Sequence, residues 1–180
     1  GNALSTGTYN TLIGGLAGDA LTTGARNVAI GHQALGSEDG HGLNVAIGYE
    51  ALKTQNAGAE GYNVAIGYQA GLAITDGTHN TIIGGVAGQA LNTGEQNVLI
   101  GTEAGDALTT GSKNISIGFR ALSTENTGSR NVAIGYGSLF ALDYDGNGYN
   151  VAIGFEAGND ITTGAENTII GGLAGDALTT

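Results

Sequence analysis

Residues 44–52 read Asn-Val-Ala-Ile-Gly-Tyr-Glu-Ala-Leu and are one copy of a unit that recurs along the chain. The pentapeptide Asn-x-x-Ile-Gly occurs ten times, and its copies begin 17 residues apart except at two intervals of 19. A fixed period of this length indicates a solenoid in which each repeat stacks on the next. Successive asparagines are then expected to form a structural ladder: Asn10, Asn27, Asn44, Asn63, Asn80, Asn97, Asn114, Asn131, Asn150 and Asn167.

The composition excludes several classes of protein. The 180 residues include 35 Gly but no Pro or Cys, which excludes collagen, disulfide scaffolds and zinc–thiolate sites. A net charge of −11 argues against a nucleic-acid partner, and no apolar run is long enough for membrane insertion. Because the chain begins with Gly and lacks Met, we expect residues 1–180 to be one repeat array without an internal domain boundary, cut from a longer fibre.

Glycine and alternation within each repeat predict strands. Counting Asn as position 0, position 3 is always Ile, position 4 is always Gly, and position 7 is Ala in nine copies. A regularly placed Gly would cost about 1 kcal/mol per copy in a helix, whereas Asn-Val-Ala-Ile alternates as a strand does. A second short segment through position 7 is predicted as another strand. The expected fold is therefore an all-β parallel solenoid with about two short strands per coil.

Two exchanges between repeat positions predict contacts. Position 8 is either Leu or Gly, and every copy with Gly there has Leu or Ile at position 11, so either position can supply one aliphatic group. Where position 2 is small, position 5 is aromatic or His, which predicts that positions 2 and 5 share one space. The resulting aromatic files are interpreted as packing, although an exposed file could stack on sugars: His32, Tyr49 and Tyr68, then Phe119, Tyr136 and Phe155.

The same alternation predicts lateral association. If the β-branched positions 1 and 3 fill the coil, position 2 points outward. The outer stripe would then contain Leu12, Ile82 and Ile169 at position 2, with Leu16, Val86 and Leu173 at position 6. A stripe of this kind usually marks an interface, so chains are expected to associate along their length.

The unit at 44–52 and its nine relatives resemble the head repeats of trimeric autotransporter adhesins and similar repeats of bacteriophage tail fibres. The resemblance covers essentially the whole chain. It implies a left-handed β-roll, a homotrimer around a common axis, and a role as a rigid shaft or adhesive head of an extracellular fibre. Coils of 17 or 19 residues are longer than those typical of adhesin heads, which leaves a virion tail fibre and a bacterial surface adhesin both open.

Other binding functions are alternatives. In one, the long coils 44–62 and 131–149 bind a host-surface glycan or protein receptor, and Glu38, Asp39 and His41 are receptor contacts. In another, Ile-Gly-x-x-Ala-x at Ile30 and its relatives belongs to a three-sided hexapeptide acyltransferase. A third is an ice-binding solenoid displaying its Thr pairs, which are Thr22 and Thr23, Thr109 and Thr110, Thr162 and Thr163, and Thr179 and Thr180.

Asp143, Asp145 and Asn147 match the opening of a calcium loop. Because Gly154 stands where that loop needs a bidentate Glu, a solvated turn is the favoured interpretation over bound Ca²⁺, and no other cofactor is predicted. The three histidines fall at different repeat positions, and no nucleophile or phosphate motif is present. The chain is therefore predicted not to be an enzyme.

Overall fold

Three-residue strands between the repeat Asn and the repeat Gly build the fold. The computed structural model describes residues 3–180, so that Gly1 and Asn2 of the expected array lie outside the described residues. Ten strands follow in chain order: β1 (Thr11–Ile13), β2 (Val28–Ile30), β3 (Val45–Ile47), β4 (Val64–Ile66), β5 (Thr81–Ile83), β6 (Val98–Ile100), β7 (Ile115–Ile117), β8 (Val132–Ile134), β9 (Val151–Ile153) and β10 (Thr168–Ile170). They confirm an all-β parallel solenoid of about nine turns.

Each strand pairs in parallel with its neighbours in sequence, so one sheet has the order β1 to β10. Equivalent residues stand opposite each other, as Val28, Val45 and Val64 do. The 19-residue coil keeps this register, because its two extra residues lie in the loop between strands. Across residues 3–180 there is no helix, and therefore none with the length and apolarity that crossing a membrane requires. Below, each coil carries the number of its strand.

Each coil contains one strand, and the prediction of two was wrong. The segment after the repeat Gly is a turn, because residues at positions 6 and 8 adopt left-handed backbone conformations. In coil 2, Gln33 has φ 55° and Leu35 has φ 51°. Neighbouring turns are still hydrogen-bonded along the axis, since the Leu35 N–H donates to the Ala51 carbonyl at 3.0 Å. The solenoid is thus a sheet on one side and a stack of turns on the other.

The inner and outer faces of the strands are the reverse of the expectation. Position 2 points into the coil, where Ala46, Ile82 and Leu99 are fully buried. Positions 1 and 3 are partly exposed along most of the sheet. The repeat Asn is itself buried, and strand alternation then places position 2 beside it on the inside. The expected outer stripe through Leu12, Ile82 and Ile169 is therefore wrong, since Ile169 is only 7% exposed and Leu12 packs against the core.

Positions 2, 8 and 11 share the interior. A Cβ on Gly105 would lie 2.9 Å from Leu99 Cδ2 and 3.0 Å from Leu108 Cδ1, so a large residue at position 2 or 11 leaves little room at position 8. The exchange between positions 8 and 11 therefore reflects contact, as expected. The proposed sharing between positions 2 and 5 is wrong, because position 5 lies outside the coil, where Tyr49 is 44% exposed.

Candidate functional site

Positions 1 and 3 form an apolar face along the whole sheet. Position 3 is Ile in every coil, and position 1 is Val, Ile or Thr, so neither column contains a charged residue. Ile66, Ile115 and Ile153 are each 36% exposed, and exposure rises to 67% at Ile170 in the last strand. We call these two columns the apolar face. Contiguous apolar surface of this kind is typical of a protein interface.

Stacked aromatic rings run beside the apolar face at position 5. In the first ladder the ring centroids of His32, Tyr49 and Tyr68 are 5.4 Å apart, with interplanar angles of 11–13°. The second ladder, of Phe119, Tyr136 and Phe155, has spacings of 5.2–5.3 Å. These rings are exposed, yet their stacking covers the faces between successive rings. A sugar would stack on a ring face, whereas these ladders present mainly ring edges to a ligand.

At the other edge of the strands, position −1 directly before the repeat Asn is aromatic or basic in seven of the ten coils. Tyr62 stacks on His79 with centroids 4.8 Å apart. The Arg130 guanidinium lies 5.5 Å from the centroid of the Tyr149 ring, and its Nη1 donates a hydrogen bond to the Tyr149 hydroxyl at 3.0 Å. In several coils the apolar face is therefore bordered by exposed aromatic side chains, at position 5 on one side or at position −1 on the other.

The repeat asparagines form a buried ladder between coils. In coil 6, Asn97 Oδ1 accepts a hydrogen bond from the Asn114 N–H at 2.9 Å. Asn97 Nδ2 donates to the Gly111 carbonyl at 2.9 Å and to Asn80 Oδ1 at 3.1 Å. Each full rung thus ties its own coil to the coils on both sides.

Two rungs are incomplete, and both lie in the 19-residue coils. The Nδ2 atoms of Asn44 and Asn131 are buried without a hydrogen-bond partner. In the 17-residue coils this atom donates to a carbonyl 14 residues ahead, as Asn80 does to Gly94. Two additional residues in the loop displace that carbonyl. The longer coils therefore gain a loop and lose one rung contact.

This difference predicts unequal effects of two equivalent substitutions. Asn97→Ala removes three hydrogen bonds and leaves buried partners unpaired, so we expect it to lower the free energy of unfolding by about 2–4 kcal/mol. Asn44→Ala is the matched control, because Asn44 makes one such bond, from the Asn63 N–H. Its expected loss is about 1 kcal/mol. Urea unfolding followed by circular dichroism compares the two, and equal losses would contradict this account of the ladder.

Two carboxylates at position 11 are buried, which the sequence does not predict. Glu38 and Glu125 are fully buried where most coils have Leu or Ile. Glu125 Oε1 accepts a hydrogen bond from the Gly128 N–H at 2.7 Å, and its Oε2 accepts one from the Tyr144 N–H at 3.3 Å. Burial raises the pKa of both carboxyls, and the backbone donors oppose that shift only in part. A Glu at an aliphatic repeat position was the available signal.

Glu125→Gln tests the burial of this charge. Because the folded-state pKa of Glu125 lies above its ordinary value of 4.5, its contribution to stability is full below pH 4.5 and is lost as the pH rises through the raised pKa. Gln cannot ionise, and Gln55 already occupies position 11 in coil 3. We expect Glu125→Gln to stabilise the protein by about 1 kcal/mol at pH 7 and to have a smaller effect at pH 4. Thermal melting at both pH values measures this.

The control for this prediction is Glu95→Gln, which removes an exposed carboxylate. It should leave the melting temperature nearly constant at both pH values. A Glu125→Gln variant that is less stable than the wild type at pH 7 would show that the backbone hydrogen bonds outweigh the burial of the charge.

The structure brings together Glu38, Asp39 and His41, with one potential ligand atom of each lying within 4.8 Å of the others. Glu38 Oε1 accepts a hydrogen bond from the His41 N–H at 2.9 Å. Asp39 is exposed, whereas Glu38 is fully buried. The Glu38 carboxylate caps a turn inside the coil, so of the three residues only Asp39 and His41 reach the surface. Receptor contact by this loop stays a prediction.

The residues of the predicted calcium loop have other contacts. Asp145 Oδ1 accepts a hydrogen bond from the Thr127 hydroxyl, and Asn147 forms a parallel bridge with Ser129. The Asp143 N–H donates to the Thr162 carbonyl at 2.8 Å. These contacts join the loop of coil 8 to the coils on both sides. A solvated turn stays the favoured prediction here, with calcium binding at Asp143, Asp145 and Asn147 as the alternative.

Two of the alternative functions imply structural features that can be compared with the fold. The hexapeptide alternative requires a three-sided coil, whereas the strands over residues 3–180 form one sheet. That alternative is wrong at the level of architecture. For the Thr pairs, the hydroxyl of Thr22 donates to the Asp39 carbonyl at 2.8 Å and that of Thr162 to the Thr179 carbonyl at 2.9 Å. These first threonines of each pair join coils to one another.

No family model, no curated protein and no solved structure matches this chain. The resemblance to adhesin and tail-fibre repeats therefore rests on the repeat residues themselves. Two surface grooves accompany the features above, one of about 180 Å³ beside Tyr136 and Phe140 and one of about 100 Å³ beside Asp19 and Lys53. Both are smaller than the roughly 300–1,000 Å³ of typical small-molecule pockets. The most extensive feature for recognition is the apolar face.

Proposed function

We propose that the chain is a structural segment of a homotrimeric extracellular fibre, in which three solenoids pack through their apolar faces. The observation that carries this proposal is the uncharged double column of Ile, Val and Thr along the entire sheet. The segment would serve as a rigid rod, because backbone hydrogen bonds along the axis join every coil to the next. The resemblance to adhesin heads and phage tail fibres supports the trimer and the extracellular location.

The energetics favour association along the apolar face. Complete burial of a Val or Ile side chain contributes about 1.5–3 kcal/mol. Side chains such as Ile66 and Ile115 are already two-thirds buried in the single chain, so each would contribute roughly 0.5–1 kcal/mol on association. Because the face repeats in all ten coils, these small contributions accumulate over its length. The ends, where Ile13 and Ile170 are most exposed, would gain the most per residue.

A copy of the same chain is the partner that fits this face best. Parallel copies have the same coil spacing, so each row of Val and Ile meets an equivalent row without a change of register. Rotational symmetry around a shared axis closes such an assembly. The bordering Tyr and Arg residues at position −1 would then lie at the edge of the interface, where such amphipathic side chains are common.

Light scattering coupled to gel filtration tests the proposal directly. A trimer has three times the 17.8 kDa mass of one chain. A folded monomer at micromolar concentration would overturn the role of the apolar face. A dimer would keep that role and overturn the trimer. The choice between phage fibre and bacterial adhesin depends on the source of the chain.

A further inference from the structure

We infer that the turn containing Glu38, Asp39 and His41 binds a divalent transition-metal ion, with Zn²⁺ as the reference ion. The site would lie in the loop of coil 2, which is not part of the apolar face. Metal binding there would therefore not depend on trimer formation. Its ligands would be the carboxylates of Glu38 and Asp39 and the Nδ1 atom of His41. The ion would link the loop residues Asp39 and His41 to the buried carboxylate of Glu38.

The distances suit a metal better than a direct hydrogen bond. His41 Nδ1 lies 3.7 Å from Glu38 Oε1, which is too long for a hydrogen bond. Two ligands of a tetrahedral zinc ion, with bonds of about 2.0–2.1 Å, are separated by about 3.3–3.4 Å. The Glu38 and His41 atoms are therefore close to the required separation. Asp39 is exposed, and one of its carboxylate oxygens already lies within 4.8 Å of ligand atoms of the other two residues.

Two buried polar atoms in this cluster have no hydrogen-bond partner. They are Glu38 Oε2 and His41 Nδ1, and the Glu38 side chain is fully buried. An unpaired buried polar atom usually costs about 1–3 kcal/mol, and more when the group is charged. A cation bound between the Glu38 carboxylate and His41 Nδ1 would give both groups a partner. This observation is independent of the clustering of the acidic residues.

Coil 7 shows what the carboxylate cap requires without a metal. Glu125 occupies the same repeat position as Glu38 and likewise accepts a hydrogen bond from the backbone N–H three residues later. Its second oxygen also has a backbone donor, at Tyr144. Asn126 and Gly128 stand where coil 2 has Asp39 and His41. The carboxylate cap therefore requires neither an Asp at position 12 nor a His at position 14. Coil 2 has Asp39 and His41 in addition to the cap.

The donor set identifies the class of ion. An imidazole nitrogen and carboxylate oxygens are ligand types that Zn²⁺ accepts, and water can be the fourth ligand of a tetrahedral site. Calcium requires six to eight oxygen ligands, which these three residues do not supply. Two carboxylates and a neutral imidazole would also leave the zinc site with little net charge.

Zinc titration of the untagged chain tests the site. We expect calorimetry to show one Zn²⁺ per chain, and zinc to raise the melting temperature in a way that EDTA reverses. His41→Gln should abolish both effects, and it retains the cap because Glu38 accepts from the backbone of residue 41. The matched control is His79→Gln, which removes an exposed histidine elsewhere and should leave binding unchanged.

Several results would overturn the site. These are the absence of zinc binding by the wild type, equal binding by His41→Gln, or loss of binding in His79→Gln. A zinc-dependent increase in particle mass would show that the ion bridges chains instead. Absorption of the Co²⁺-loaded chain gives a second measurement, since a tetrahedral site produces strong visible bands that should disappear in His41→Gln. Circular dichroism in EDTA confirms that both variants fold.

Discussion

Gly48→Ala is expected to destabilise the solenoid by about 3–5 kcal/mol, the range of the most damaging single substitutions. Gly48 has φ 138°, a conformation that residues with a side chain rarely adopt. A Cβ there would also collide with the carbonyl oxygen of Gly67 in the next coil. Because the next coil is fixed by its own stacking, the clash cannot be relieved by a small local shift.

Gly85→Ala is the matched control for Gly48→Ala. Gly85 follows the repeat Gly of coil 5, its φ is not positive, and a Cβ there would meet no atom within 4 Å. We expect it to leave stability unchanged or to increase it by up to about 1 kcal/mol, since Ala restricts the unfolded chain. Urea unfolding of both variants provides the comparison. Similar losses in the two would show that glycine serves here by flexibility alone.

If the chain forms the proposed trimer, replacing both Ile66 and Ile115 by Lys is expected to convert it into folded monomers. Both residues lie on the apolar face in inner coils and are 36% exposed, so a Lys can reach water in the single chain. In the trimer the same two charges would be buried in every chain. An unpaired buried charge costs several kcal/mol, which exceeds the roughly 1 kcal/mol that each Ile contributes. Light scattering gives the mass, and circular dichroism gives the fold.

Thr110→Lys controls for the added charge, since Thr110 is exposed on the stack of turns away from the sheet. It should remain trimeric. If the double variant stayed trimeric while Thr110→Lys dissociated, the interface would lie on the turns and not on the apolar face. If neither variant changed the mass, association would depend on neither of these two surfaces.

The period and the register could be predicted from the sequence for a physical reason. Parallel stacking places equivalent residues opposite each other, so every coil faces the same constraints and the pattern of Asn, Ile and Gly is visible directly. The strand from Val45 to Ile47 is bounded by the two residues that repeat most strictly. This explains why the fold class and the strand after each repeat Asn agree with expectation, although the second strand expected in each coil is absent from residues 3–180.

The inside of the coil could not be predicted in the same way. A period of two shows that the two faces of a strand differ, but it does not show which face is buried. Val and Ile at positions 1 and 3 are the larger residues, yet the narrow coil accommodates Ala46 and its equivalents. The left-handed residues Gln33 and Leu35 also gave no signal, because neither type favours that conformation.

The cluster at Glu38 was missed for a related reason. From the sequence its three residues are predicted as receptor contacts, but only the fold shows that position 11 is inside the coil. Once that is known, a Glu at this position becomes an unusual buried charge. The interpretation of this cluster therefore depends on whether Glu38 is exposed or buried, and the neighbouring sequence does not show which.

The two long coils with incomplete asparagine rungs also reveal a larger unit. Asn44 and Asn131 are 87 residues apart, and so are Glu38 and Glu125. The two aromatic ladders follow the same interval, beginning at His32 and Phe119. The rod is thus built from five-coil blocks, each about 24 Å long at the usual strand spacing. Adding or removing a whole block would change the length of the solenoid without disturbing the register of its strands.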